Sequence, residues 1–282
     1  MKHITIGLLC FLLAAAPVKA ISQTPTPSET ALLREKASKG DAEAQNSMGL
    51  LCQFGQGVKQ NHAQAMKWYR LAASQGLAMA QNNIGEMYRH GEGVKQNYVE
   101  AMKWYKLAAS QALDLAANNI GTMHANGQGV ATDYTEALKW FRMAAAQGLD
   151  MAENNIGYLY QNGLGVAADY TEAMKWYRLA ADKGLDLAQN NLGTMYHLGQ
   201  GVKEDFAEAV KWYRLAAEQG FDLAQNNLGT MYAQGLGVEL DNAEAMKWFR
   251  MAAGQGNELA QSNMKMMQEQ GFGDTPEKDS AK

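Results

Sequence analysis

Apolar residues return along this chain in two consecutive helical rhythms, and the pair of rhythms itself returns every 36 residues from Asp41 to Gly256. In the unit Leu149 to Gly184, Ala152, Ile156, Leu159 and Tyr160 share one face at three- and four-residue spacing, which predicts a first helix. Gly157 on that helix leaves room for a neighbouring helix to approach. A glycine-rich turn then leads into a second helical pattern. The phrase is written six times, most clearly from Leu77 to Ala112, Leu113 to Gly148, Leu149 to Gly184 and Leu185 to Gly220. A unit this short buries its apolar face only by stacking on its neighbours, so the expected fold class is an all-α, α/α solenoid of six repeats.

The ends of the second helices are marked in the sequence. Asp133, Asp169, Asp205 and Asp241 are each followed three residues later by Glu136, Glu172, Glu208 and Glu244, the pattern of a capping box; Asn97 with Glu100 and Asn61 with Gln64 repeat it. Gly76, Gly148, Gly184, Gly220 and Gly256 stand where a left-handed stop is needed, and Ala112 is the exception. Trp68, Trp104, Trp140, Trp176, Trp212 and Trp248 recur once per repeat, each followed by Tyr or Phe, and are expected in inter-repeat packing.

The flanks divide the rest of the chain. Residues 1–20 read as a secretory signal peptide, with Lys2, an apolar stretch from Ile4 to Ala16 and Val18-Lys19-Ala20 at the cleavage site; Cys10 lies inside that stretch without the small residue that precedes a lipidated cysteine. Residues 21–28 read as a linker and 29–40 as an N-terminal capping helix with Leu32 and Leu33 at the Trp and Tyr positions. Beyond the repeats at 41–256, residues 257–273 resemble another first helix and 274–282 a disordered tail. Export to the periplasm, or beyond it, follows from the leader. Cys52 alone would remain after cleavage, so packing rather than a disulfide must stabilise the domain.

The signature A-x-x-N-x-G-x-x-[YH]-x-x-G-x-G-V-x-x-[DN]-x-x-x-A-x-x-W-[YF]-x-x-A-A, carried by Gly85, Gly91, Gly93, Val94, Ala101, Trp104, Ala108, Ala109 and their counterparts, resembles the Sel-1-like repeat (SLR) family of the tetratricopeptide superfamily. The resemblance implies a right-handed superhelix whose first helices line a concave side, and a role as an adaptor in envelope assembly, signalling or host contact. Some secreted relatives carry two cysteines per repeat and have penicillin-binding or weak β-lactamase activity attributed to them. This chain lacks those cysteines.

On a helical projection Asn82, Glu86 and Arg89 lie opposite Ile84, so their rows are expected to line the groove. The first row continues as Asn118, Asn154, Asn190 and Asn226, the second as Thr122, Tyr158, Thr194 and Thr230, and the third as Ala125, Gln161, His197 and Ala233. An amide both donates and accepts, so an asparagine ladder is able to hold the backbone of an extended peptide; the alternative is an inter-repeat hydrogen-bonded row. The candidate peptide-binding residues are therefore Asn82, Asn118, Asn154, Asn190, Asn226, Tyr158, Gln161, Thr194 and His197. Met79, Leu115, Met151, Leu187 and Leu223 form an apolar row beside them, read first as stacking between repeats.

With a formal net charge of -4 and no basic cluster, nucleic acid is not an expected partner; no segment after the leader is apolar enough for stable membrane insertion. The expected partner is a protein or peptide, and homo-oligomerisation is left open. The G-x-G-V turns lack the strand and spacing of a phosphate loop, and His62, His90, His124 and His197 show no metal-ligand spacing, so no metal, cofactor or catalytic residue is expected. Ser262 and Lys265 form an S-x-x-K pair without its usual companions, the sole basis for a β-lactam hydrolase alternative.

Overall fold

The computed structural model describes residues 25–272. The leader with Cys10, the linker up to residue 24 and the tail at 274–282 lie outside the described residues. Among the described residues there are fourteen helices and no strand. A capping helix, α1 (Pro27–Ser38), precedes the repeats. The first helices of the six repeats are α2 (Ala42–Phe54), α4 (Ala78–His90), α6 (Asp114–Asn126), α8 (Asp150–Asn162), α10 (Asp186–Leu198) and α12 (Asp222–Gln234). Their second helices are α3 (His62–Ser74), α5 (Tyr98–Ala109), α7 (Tyr134–Ala145), α9 (Tyr170–Asp182), α11 (Phe206–Glu218) and α13 (Asn242–Gly254), and α14 (Glu258–Glu269) follows as one more first helix. The described residues divide into two compact units, 25–155 with 164–166, and 156–163 with 167–272.

Within each unit the same packing recurs. The glycine at the middle of each first helix lets the aromatic residue after the tryptophan lie against the helix backbone: an added Cβ at Gly85 would stand 2.6 Å from the Tyr105 ring, and one at Gly193 would stand 2.8 Å from that of Tyr213. Those aromatic residues, Tyr69, Tyr105, Phe141, Tyr177, Tyr213 and Phe249, are fully buried. The tryptophans sit further out and bridge neighbours, Trp104 packing on the core around Ile84 and Met87, Trp212 on that around Leu192 and Met195, and Trp248 on that around Leu228 and Met231. Burial of this kind, at about 25 cal/mol per Å² of apolar surface, is the main source of stability available to a domain without disulfides. Cys52 joins the first core as a buried thiol, and burial pushes its pKa up.

The caps are half of what the sequence suggests. Each cap side chain accepts from the backbone three residues on, as Asp133 does from Glu136 N at 2.9 Å and Asp205 from Glu208 N at 2.9 Å. The glutamate does not reach back to the cap. Asp133 N already donates to His124 O at 3.0 Å, and Asp205 N to Tyr196 O at 3.0 Å, which ties the second helix to the first. The freed carboxylates of Glu136, Glu172 and Glu208 accept instead from Trp140, Trp176 and Trp212 Nε1 at 3.0, 3.0 and 3.1 Å, and also pair with the lysine three residues on. The C-terminal stops follow the glycine pattern, with φ near +90° at Gly76 and Gly148, and Ala112 is forced to φ 60°, the only non-glycine with positive φ among the described residues.

Candidate functional site

The first helices are buried on more sides than a single-helix projection implies. Asn82, Asn118, Asn154, Asn190 and Asn226 are each at most 2% exposed, which closes them to a ligand. Four of them are hydrogen-bonded to the next repeat: Asn119, Asn155, Asn227 and Asn263 donate their side-chain N–H to the Oδ1 of Asn82, Asn118, Asn190 and Asn226 at 3.1, 3.0, 3.0 and 2.9 Å. Asn83 begins the series by donating to Asn46 at 2.9 Å. The asparagine ladder is thus an inter-repeat strut, because the flanking first helices cover the face opposite the helix-pair core. A buried amide without its partner costs about 1–3 kcal/mol, so the row fixes register between repeats.

Thr194 is also buried; its hydroxyl donates to Asn190 O at 3.0 Å and accepts from Tyr213 at 3.1 Å. Gln161 is half-buried, its amide donating to Gln200 at 3.0 Å and accepting from the Tyr177 hydroxyl at 2.8 Å. Tyr158 is half-buried beside the Tyr177 and Leu192 core. His197 is half-buried with its ring edge-on to Phe206 at 5.3 Å; burial pushes its pKa down, with Glu204 opposing. Of the nine candidate residues, only Tyr158, Gln161 and His197 keep accessible surface, and all three belong to the second unit. Met79, Leu115, Met151, Leu187 and Leu223 are half-buried.

A polar rule emerges beneath this surface. Every buried Tyr hydroxyl meets an acceptor from the second or third row: Tyr69 on Gln53 at 2.6 Å, Tyr105 on Glu86 at 2.5 Å, Tyr177 on Gln161 and Tyr213 on Thr194. Where the ring is Phe141 or Phe249, the third-row residue is Ala125 or Ala233. Where the ring carries no hydroxyl, the third row offers no polar side chain to be left unpaired, and the second-row Thr122 and Thr230 donate to Asn118 O and Asn226 O at 3.1 and 3.0 Å.

The second repeat departs from the others by carrying a charged cluster that motif spacing does not pick out. Glu86, buried where the other repeats have Leu, Thr or Tyr, accepts from Tyr105 at 2.5 Å and Asn119 at 2.8 Å through Oε1, and meets Arg89 at 2.8 Å and His90 at 3.1 Å through Oε2. Burial pushes the Glu86 carboxyl up, but the hydrogen bonds and charges of His90, Arg89 and Tyr105 outweigh it and hold the pKa below its ordinary value. The signal in the sequence is one acid in a column of Thr122, Tyr158, Thr194 and Thr230. Ser262 and Lys265, by contrast, stand exposed on α14. Among the described residues no group of three His, Cys, Asp or Glu is placed to hold a metal ion, and no helix is long and apolar enough to cross a membrane.

Six helix pairs in series, braced by an amide strut and glycine-seated aromatics, define a helical repeat protein of the SLR type. The Sel1 repeat model matches residues 42–77, 78–113, 114–149, 150–185, 186–221 and 222–257, and the chain belongs to the Sel1-repeat family. Such repeats generally mediate protein interactions. The fold is similar to the crystal structure of a protective antigen present in uropathogenic Escherichia coli strains, with 40% identity, 87% of this chain and 53% of that chain covered, and a TM-score of 0.74. This chain thus spans about half the length of that antigen. A Sel1 repeat protein from Oxalobacter formigenes is 37% identical over 81% of this chain and 99% of its own, with a TM-score of 0.73. An immunity protein from Pseudomonas aeruginosa shares the fold at 19% identity, covering 86% of this chain and 90% of that one, with a TM-score of 0.53. No curated protein matches the chain.

Proposed function

We propose that this chain is an exported adaptor or regulator that holds a segment of another protein along its first helices. The observation that carries the reading is the contrast between frame and accessible surface. The frame repeats, with asparagine, glycine and buried aromatic ring in each repeat, whereas the third row, accessible except at the buried Ala125, changes chemistry from Arg89 to Gln161, His197 and Ala233. Accessible positions that vary over an invariant frame are where a repeat protein reads a partner. Extended peptide fits the scale, since packed helices stand about 9 Å apart and an extended chain advances about 3.3 Å per residue, roughly three residues per repeat.

The test is affinity capture from envelope extract and from culture medium, comparing wild type with the Gln161→Ala, His197→Ala double variant, both checked by thermal melting. A protein retained by wild type and lost from the folded variant supports the groove; equal capture by both moves the binding surface elsewhere. Export is tested by cell fractionation and N-terminal sequencing, with Ile21 the expected first residue. Similarity to a protective antigen of uropathogenic E. coli favours a second reading, a secreted host-contact factor using the same surface, for which the captured protein would come from host material. A β-lactam hydrolase centred on Ser262 would lose turnover in Ser262→Ala.

A further inference from the structure

The second helices carry a feature that the groove leaves unused. Leu71, Leu107, Met143, Leu179, Leu215 and Met251 occupy one position in all six repeats, and each is 43–50% exposed. A lysine stands four residues before each of them, on the same helical face and exposed: Lys67, Lys103, Lys139, Lys175, Lys211 and Lys247. Each free face is therefore an apolar row edged with charge. Repetition of an exposed apolar side chain at one helical position is what makes these faces candidates for an interaction surface.

The charge around the row is not the same in the two units. On α3 and its approach, residues 59–74, the charged groups are Lys59, Lys67 and Arg70, a local charge of +3; on α5 and its approach, residues 95–110, Lys95, Lys103 and Lys106 against Glu100 leave +2. The segment 131–146 with α7 is neutral. Segments 167–182, 203–218 and 239–254, which hold α9, α11 and α13, each carry -1, through acids such as Asp182, Glu204, Glu218 and Glu239. Gln64 replaces the glutamate that pairs with lysine in later repeats, and Asn61 and Asn97 replace the cap aspartates, so the asymmetry is built from equivalent positions. These charged side chains lie at the surface, Arg178, Arg214 and the cap-following glutamates partly covered and the rest exposed.

We propose that the chain self-associates, the basic free face of α3 and α5 in one copy docking on the acidic free face of α9, α11 and α13 in another, with the apolar rows in contact between them. One polypeptide supplies both a positive and a negative version of the same apolar face, spaced by the same repeat, which makes a second copy the occupant with matching charge. An anionic lipid surface would be repelled by the second unit's face. Desolvating the two apolar rows supplies the attraction, and the opposed charges set which face meets which.

Sedimentation equilibrium of the full chain at ~0.02 M and ~0.5 M salt reads this directly, because salt screens charges more than a Debye length apart. Wild type is expected to rise above monomer mass at low salt and to fall back at high salt. Lys67→Glu with Lys103→Glu should weaken association by at least ~tenfold. Extending the exchange to Lys67→Glu, Arg70→Glu, Lys103→Glu and Lys106→Glu takes the first face from +5 to -3, and Asp182→Lys, Glu204→Lys and Glu218→Lys in the same chain take the second from -3 to +3, so this reversed pair should restore association. Leu107→Ser with Leu215→Ser should weaken association at low salt, although it changes no charge. Thermal melts establish that each variant is folded, and the restoring variant with both faces reversed keeps the test independent of any one substitution's effect on folding. A chain that stays monomeric at low salt to ~0.1 mM, association indifferent to charge reversal, or failure of the double reversal to restore it overturns the proposal. So does a monomer that binds anionic vesicles through Lys67 and Lys103.

Discussion

At the residue scale, side chains with the same identity do different work according to what covers them. Asn190 accepts from Asn227 inside the protein, so Asn190→Ala should cost about 1–3 kcal/mol, the penalty of removing a buried acceptor, and not the negligible amount expected of a groove residue. Denaturant unfolding of the variant measures it. Ala112 is held at φ 60°, where a Cβ is unfavourable and its five counterparts are glycine, so Ala112→Gly should raise the midpoint of thermal unfolding by relieving a strain of about 1 kcal/mol, and Gly148→Ala should lower it. Glu86 has a folded pKa below its unfolded value. Its ionised form therefore stabilises the fold above the ordinary carboxylate range, near pH 4.3, and that stabilisation is lost as pH falls through the lower folded value. The difference in melting temperature between wild type and Glu86→Gln should accordingly be large at neutral pH and shrink in acid.

Elements are joined by a few repeated devices. The second helix is capped by its Asp or Asn, while the cap's own N–H is held by a carbonyl of the first helix, so loss of a cap loosens both the helix start and the turn. Asp205→Ala should cost about 1 kcal/mol, read by thermal melting. The central glycine matters more, because a methyl group at Gly193 would stand 2.8 Å from the Tyr213 ring and 3.2 Å from Ala209 O, neither of which moves without disturbing the core. Gly193→Ala should therefore destabilise by about 1–3 kcal/mol despite the better helix propensity of alanine. Helix boundaries were legible before the structure, since caps and left-handed glycines act on their own few residues. The destination of Glu136, Glu172 and Glu208 was not, because the chemistry of a capping box in the chain says nothing of whether the cap N–H has already been taken by another helix.

For the molecule as a whole, stability is carried from repeat to neighbouring repeat. Asn263 on α14 donates to Asn226, and α14 supplies Ala260 and Met267 to the core around Phe249. A chain ending at Gly256 would leave that core and the last strut open, and its first thermal transition is expected below that of the full chain. The amino-acid sequence by itself determined the six-fold repeat, the helix pairs, the burial of one aromatic residue per unit and the Sel1 family, because period, turn chemistry and amphipathic phase are local properties that recur in phase. Only the tertiary structure decided that the asparagines are struts and not a ligand surface, that Glu86 gathers Arg89, His90, Tyr105 and Asn119, and that the leucine row of the second helices stays open. A projection of one helix separates the face turned to its partner from the face turned away, but whether the second face meets solvent or the next repeat depends on how neighbouring helices stack.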